Sequence, residues 1–393
     1  MGRRSLAIGA SHVRVPTARL IAGALVALAA CTGSPSRAPS PSNTGSTPSS
    51  PSTIVTTLAN GEALPAGCPT GADVRAHTVA FVAGGNAWAL DPESGDATCL
   101  FPAPAPGPFT WNPRGDRALL SDLEIASVGG EQLRAGTSPS PAASSWGHPI
   151  GKAVVYISPS GTRLRKIYPG TQRRDDITPI RRVHYLNVVY HPSGLAIAFV
   201  VDTGDGQEIW LSSNVGEDPV RLVFAVGGTT FGSLAFTADG GTLLYAAVHA
   251  DDAPLLHALD LRNPTINQGW WHGDAGDRIS AIFPQPRRDG RLIALTVGTA
   301  CGDSRAMLFH RGDPPEPLAD EPSRIVGWLD RRTVLVATGG CTGQSNLASV
   351  DITQQAAIPL VTGVDIAAAR TPLLPFVPPL PAGIEQGVGA GVG

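Results

Sequence analysis

The chain reads as an all-β protein, a β-propeller of seven four-stranded blades with six or eight as the alternatives, and three observations carry that reading. Aromatic residues recur at Trp111, Trp146, Tyr190, Phe236, Phe283 and Trp328, spaced 35, 44, 46, 47 and 45 residues apart. Gly-centred turns stand behind the first five: Pro113-Arg-Gly115, Pro149-Ile-Gly151, Pro192-Ser-Gly194, Ala238-Asp-Gly240 and Arg288-Asp-Gly290. Behind Trp328 the turn changes to Asp330-Arg-Arg332. Short apolar runs such as Ile197-Ala-Phe199 and Leu243-Leu-Tyr245 follow the turns. A period of about 40 to 50 residues built from short strands marks propeller blades, each of which cannot bury its faces alone.

The N-terminal 30 residues have the parts of an export signal. Arg3, Arg4, Arg14 and Arg19 precede an apolar run from Leu20 to Ala30, too short for a resident membrane-spanning helix. Leu28-Ala29-Ala30-Cys31 resembles the lipobox of bacterial lipoproteins, which implies cleavage before Cys31 and lipid on its sulfur. The Arg3-Arg4 pair also resembles a twin-arginine signal, set far from the apolar run. Residues 31–53 form a linker: Thr32 to Thr53 are nearly all Ser, Thr and Pro, with Arg37 the one charge and nothing to bury. Extended at ~3.1 Å per residue, such a linker reaches roughly 70 Å from the membrane.

Residues 54–76 lead into the ring, and residues 77–370 form it. The run from His77 to Leu100 supplies three strands, Thr78–Val82, Asn86–Asp91 and Ala97–Phe101, and lacks an inner strand. Val364–Arg370 offers one more short strand, which would fill the gap and lock one end of the ring onto the other. The clearest blade runs from Asn187 to Gly227, with alternating apolar positions between Gly/Asp turns, as antiparallel strands require. The copies at Asn112–Gly136 and Gly147–Arg182 are irregular. The tail, residues 371–393, is Pro- and Leu-rich to Pro381 and then Gly-rich; it is expected to pack outside the ring and fray.

Tyr190-His-Pro-Ser-Gly194, Phe236-Thr-Ala-Asp-Gly240 and Trp111-Asn-Pro-Arg-Gly115 resemble the WD40-like repeats of TolB-type propellers, in which an aromatic and a Pro-Asp-Gly-like turn precede an apolar strand. The resemblance covers about residues 77 to 370. It implies blade construction and leaves the ligand open, because these residues shape turns and core.

With Cys31 committed to lipid, Cys68, Cys99, Cys301 and Cys341 remain in an exported chain, an even set with three connectivities. Cys301 and Cys341 follow the second strands of consecutive blades, which pairs them; Cys68 then ties the incoming segment to Cys99. The bridges would close loops of 31 and 40 residues, each worth roughly 3.5 to 4 kcal/mol on chain-entropy grounds.

Net charge is −3 with 16% charged residues, so no broad basic field exists and nucleic acid is not an expected partner. No zinc-protease, nucleophile-elbow or phosphate-loop motif occurs. Gly302-Asp-Ser304 has no evident His and Asp partners, and Asp202-Thr-Gly-Asp-Gly206 has hairpin rather than calcium-loop spacing. No catalytic residue, metal ligand or cofactor is assigned.

Two stretches, read as interblade loops, stand out as binding candidates: Arg173, Arg174, Asp175 and Asp176 with Arg181, Arg182 and His184; and Trp270, Trp271 and His272. Trp and Arg dominate binding hot spots, and propeller loops carry function. The expected protein is thus a monomer anchored by lipid on the extracytoplasmic face of the membrane, binding or scaffolding envelope proteins or cell-wall components. The alternatives are a propeller enzyme of lactonase, hydrolase or quinoprotein type acting at the channel mouth, and a small-molecule sensor. Apolar or small inner-strand positions, as in Leu234-Ala-Phe236 and Ala281-Ile-Phe283, favour binding.

Overall fold

The structure is a computed structural model that separates into two units, Met1–Ser52 and Thr53–Gly393. It describes residues 55–65, 67–68, 79–103, 110–119, 124–127, 132–134, 144–147, 151–225, 227–249, 254–273, 279–284, 292–298, 304–339, 344–369 and 390–392. The first unit, including Cys31, lies outside the described residues, as do Cys301 and Cys341 and the tail from 370 to 389.

Among the described residues there are seven sheets and no helix. Blade 1 joins Ile366–Ala369 to Val79–Ala83, Asn86–Leu90 and Ala97–Pro102, so the end of the ring supplies the inner strand that its beginning lacks. Blade 2 comprises Thr110–Trp111, Arg117–Leu119, Glu124–Ser127 and Gln132–Arg134; blade 3, Ser144–Trp146, Val154–Ile157, Leu164–Tyr168 and Arg173–Asp176. Blade 4 has His184–Tyr190, Ala196–Asp202, Gln207–Ser213 and Val220–Ala225; blade 5, Thr230–Phe236, Thr242–Val248, Leu255–Asp260 and Asn267–His272. Blade 6 has Ile279–Pro284, Leu292–Val297, Arg305–His310 and Glu316–Pro317; blade 7, Ser323–Trp328, Thr333–Gly339, Ser345–Asp351 and Ala356–Val364.

Two blades exceed four strands. Thr57–Leu58 adds antiparallel to the outer strand of blade 7, and Ala390–Val392 adds parallel to that of blade 4. The Gly-rich chain end, expected to fray, is thus drawn at residues 390–392 into a strand, because an outer strand offers unpaired main-chain groups. Cys68 is bonded to Cys99, with Cα atoms 5.3 Å apart, and fastens the incoming segment to the outer strand of blade 1.

The core is divided among seven apolar clusters, one between each pair of consecutive blades. Side chains alternate across a strand, so the second strand of a blade serves two neighbours at once. In blade 4, Ile197, Phe199 and Val201 pack toward blade 3 while Ala198 and Val200 pack toward blade 5. In blade 5, Leu243, Tyr245 and Ala247 face blade 4; Leu244 and Ala246 face blade 6. The recurring aromatics Trp111, Trp146, Tyr190, Phe236 and Trp328 are buried at the ends of the inner strands.

The turns behind these aromatics link blade to blade. Gly115, Gly194 and Gly240 adopt φ of 71°, 72° and 69° and donate N–H to Asn112, His191 and Thr237 carbonyls. His191 is fully buried, and its Nε2 lies 3.0 Å from the Gly240 carbonyl of the next blade. A carbonyl only accepts, so Nε2 carries the proton; Nδ1 then accepts from the Ser193 N–H at 3.1 Å. This arrangement suits the neutral ring, and burial holds its pKa below the ordinary histidine value against the opposing pull of the Gly240 carbonyl.

Gly216 and Gly204 share φ of 86°, but a Cβ on Gly216 would sit 2.1 Å from the Ile177 carbonyl oxygen, whereas one on Gly204 meets nothing within 4 Å. Gly216→Ala should therefore cost about 3 kcal/mol and Gly204→Ala about 1 kcal/mol; equal melting temperatures would refute the close approach. For His191 the unfolded chain binds the proton first as pH falls through about 6.5, so stability is lost with acid down to the lower folded pKa. The Tm should drop between pH 7 and 5, and His191→Gln should reduce that slope. Part of the slope should survive, since burial also lowers the His257 pKa.

Candidate functional site

The charged stretch after blade 3's third strand is itself a strand. Arg173–Asp176 pairs with Leu164–Tyr168, and the register sets Asp175 opposite Lys166 and Asp176 opposite Arg165. Opposite charges facing across a ladder favour pairing, so an outer strand needs little apolar surface to form. This corrects its reading as a loop. Arg173 pairs with Asp175 at 2.6 Å and lies 4.5 Å over the Tyr168 ring. Hydrogen bonding from Arg173 holds the Asp175 carboxyl below its usual range and raises the Arg173 guanidinium in turn. Arg174 stands opposite Ile167 in the ladder.

The stretch divides at Asp176. Ile177 is buried and Thr178–Ile180 turns toward blade 4, held where the Tyr185 hydroxyl donates to the Ile180 carbonyl at 2.6 Å and accepts from its N–H at 3.0 Å. Burial pushes the Tyr185 hydroxyl up to about 12, so it stays protonated as that donor. This connection and the Ser158–Arg163 hairpin enclose a cavity of about 580 Å³ lined by Thr162, Arg163, Asp176, Thr178, Arg181 and Arg182.

Asp176 organises one wall. Its carboxylate accepts from Arg163 Nη1 at 2.7 Å and from the Thr178 hydroxyl and N–H at 2.5 and 3.1 Å. Burial pulls its pKa upward, and the Thr178 and Arg163 hydrogen bonds overcome that pull and leave the carboxyl below its ordinary value. Arg181 and Arg182 are exposed and, among the described residues, no hydrogen bond or ion pair occupies them. Arg182 adopts a φ of 65°, a left-handed conformation uncommon for a non-glycine residue. Three guanidinium groups thus share a cavity with one carboxylate. Such a site attracts an anion, and guanidinium can hold a carboxylate or phosphate through paired N–H donors. His184 begins the inner strand of blade 4 and is exposed, opposite Asp202 in the ladder.

Sequence reasoning found Asp176, Arg181 and Arg182 but missed Arg163 and the two threonines. Hairpin register was the signal available: an outer strand at 173–176 folding back on 164–168 brings residue 163 beside the far end.

The second stretch is also an outer strand, Asn267–His272, rather than a loop. Leu256 pairs with Trp271 and His257 with Gly269, which leaves Trp270 as a bulged residue. A bulge breaks side-chain alternation. Both indoles consequently pack on the cluster between blades 5 and 6. Trp270 stacks near Phe309 with centroids 6.5 Å apart, beneath the Arg311 guanidinium at 4.8 Å. His272 is exposed at the strand end. The outer strands Arg173–Asp176 and Asn267–His272 lie on blades 3 and 5, with blade 4 between them. Among the described residues no three His, Cys, Asp or Glu side chains gather to hold a metal ion.

No protein-family model matches the chain, and no curated protein matches it. Solved structures do. An oligogalacturonate lyase in complex with manganese aligns with a TM-score of 0.50 and 13% identity over 71% of this chain and 82% of its own. Prolyl oligopeptidase B from Galerina marginata aligns with a TM-score of 0.51 and 11% identity over 71% of this chain and 47% of its own. TolB from Acinetobacter baumannii gives a TM-score of 0.45 and 14% identity over 67% of this chain. The chain spans 64% of that TolB and about half of the prolyl oligopeptidase. At these identities the likeness is one of fold.

Because both indoles pack on an interblade cluster, Trp271→Ala should lower stability by about 2 to 3 kcal/mol. A Tm unchanged in thermal denaturation would show that Trp271 is free surface instead.

Proposed function

We propose that this protein is a lipid-anchored propeller on the extracytoplasmic face of the membrane, and that it binds an acidic partner in the cell envelope. The observation that carries the binding reading is the cavity in which Arg163, Arg181 and Arg182 face the single carboxylate of Asp176. Arg163 and Asp176 neutralise one another, so Arg181 and Arg182 are the groups offered to a ligand. The anchor rests on the lipobox-like Leu28-Ala29-Ala30-Cys31 and the Ser/Thr/Pro linker behind it. The Cys68–Cys99 bond supports export, because such bonds persist where the surroundings are oxidising. Several acyl chains give durable attachment where one alone is marginal.

Binding of a fluorescein-labelled hexa-aspartate peptide to the full chain tests the site. The Arg181→Ala/Arg182→Ala variant should bind about tenfold more weakly, as expected for two exposed charge contacts, and the difference should shrink in high salt. Its Tm should hold, since neither side chain packs. Equal affinity in the variant would remove the cavity as the binding site. Separately, Cys31→Ala should release the chain from membranes in a salt wash; retention would refute the anchor.

A further inference from the structure

A second depression lies between blades 6 and 7, and its origin is written in the sequence. Asp313-Pro314-Pro315-Glu316-Pro317 follows the third strand of blade 6, with Pro322 just beyond. Proline has no N–H to give a ladder, and the outer strand there shrinks to Glu316–Pro317. The outer strand of blade 7, Ala356–Val364, is by contrast nine residues long. The short strand leaves much of its neighbour's flank uncovered. The result is a groove of about 680 Å³ floored by Val336, Leu347, Ala348, Val350, Ala357 and Pro359. Among the described residues, its charged lining side chains are Asp320 and Glu321, both exposed.

The groove runs beside a strand edge that the chain already uses for pairing. Thr57–Leu58 adds to blade 7 at Thr362 and Val361, and the Ala59 N–H donates to the Leu360 carbonyl at 2.9 Å. The segment then folds back, Thr57 bridging to Ala63, and leaves the edge. The ladder shifts register at Leu360, so the alternation of main-chain groups restarts there. The Ile352 N–H bonds the Arg332 carbonyl, which turns Asp351 and Ser349 toward their partners Ala356 and Ile358 and leaves Ala357 to point its N–H and C=O outward. Pro359 also faces outward and offers a carbonyl without an N–H. Ile358 is 61% exposed. An edge that is unpaired at Ala357 among the described residues, an apolar trough along it and acid at the rim together describe a seat for one kind of occupant.

We propose that this groove binds an extended cationic peptide segment of a partner protein. The segment would add as a strand along Ala356–Ile358, place alternate apolar side chains on the Ala348, Val350 and Pro359 floor, and set Lys or Arg beside Asp320 and Glu321. This site is independent of the arginine cavity on blade 3.

The test is fluorescence anisotropy of the full chain with a labelled peptide of alternating leucine and lysine, against the same peptide with glutamate in place of lysine. The lysine peptide should bind and the glutamate peptide should not. Asp320→Asn/Glu321→Gln should weaken the lysine peptide about tenfold, as two exposed ion pairs allow, and Ala348→Trp should block it by filling the trough. Arg181→Ala/Arg182→Ala should leave it unchanged. The acid-neutralised variant alters only exposed side chains, so it keeps the test valid where Ala348→Trp fails to fold. Undiminished binding in the acid-neutralised variant, or equal binding of both peptides, would overturn the proposal. A gain in affinity on deleting residues 371–393 would assign the groove to the chain's own tail, and a concentration-dependent dimer that excludes the peptide would assign it to a second copy; either result also overturns it.

Discussion

The ring depends on the two-sided burial of each blade's second strand. Phe199 and Val200 are adjacent in sequence, yet they belong to different interblade clusters and both are fully buried. A blade removed from the ring would expose both flanks of this strand, which is why the repeats stand only as neighbours. The same demand fills the middle of each blade mainly with apolar side chains, Lys166, Thr296 and His257 being buried exceptions. Chemistry is displaced to strand ends, connections and outer strands, and that is where the arginine cavity is found.

The parts of the fold that were legible in sequence are those set by burial and backbone strain. Trp111, Tyr190 and Phe236 mark inner-strand ends because each is buried there, and the glycines behind them mark φ values that other residues seldom adopt. The closing strand Ile366–Ala369 was legible by subtraction, since the run after residue 77 is one strand short. The outer strands of blades 3 and 5 were not. Arg173–Asp176 has no apolar alternation, and its ladder is favoured by charges on a different strand, Arg165 and Lys166. The Trp270 bulge likewise depends on register with Leu256 and His257, which no local pattern in Asn267–His272 displays. Site residues were legible in kind, as arginines near a carboxylate, but their grouping required the hairpin that returns Arg163 to Asp176.

Both surface features arise where an outer strand departs from the ordinary alternating strand. On blade 3 the departure is charge: a strand made of Arg and Asp holds its ladder by pairing and carries the surplus guanidinium groups into the next connection. On blade 6 it is proline, which stops the strand early and uncovers its neighbour. One departure yields a polar cavity and the other an apolar trough with an acidic rim. Neither disturbs the interblade clusters, because Arg173–Asp176 and Glu316–Pro317 take no part in them. A propeller can acquire such features one blade at a time.

Joining Ile366–Ala369 to Val79–Ala83 also orders events in time. Blades 3 to 6 are each continuous in sequence and can pair their strands as they emerge, whereas blade 1 must wait for the far end of the ring. Its closure pairs Val79 with Ala369, a loop entropy matched among the sheets only by the pairing of Thr57 with Thr362 on blade 7, and so belongs to the slow end of folding. Until then Val79, Phe81 and Leu90, which meet Leu335 and Val361 of blade 7, have no partners across the seam. The seam is therefore the last part of the ring to become protected from aggregation and proteolysis, and a chain cut before residue 366 would retain the pieces of most blades without a closed ring.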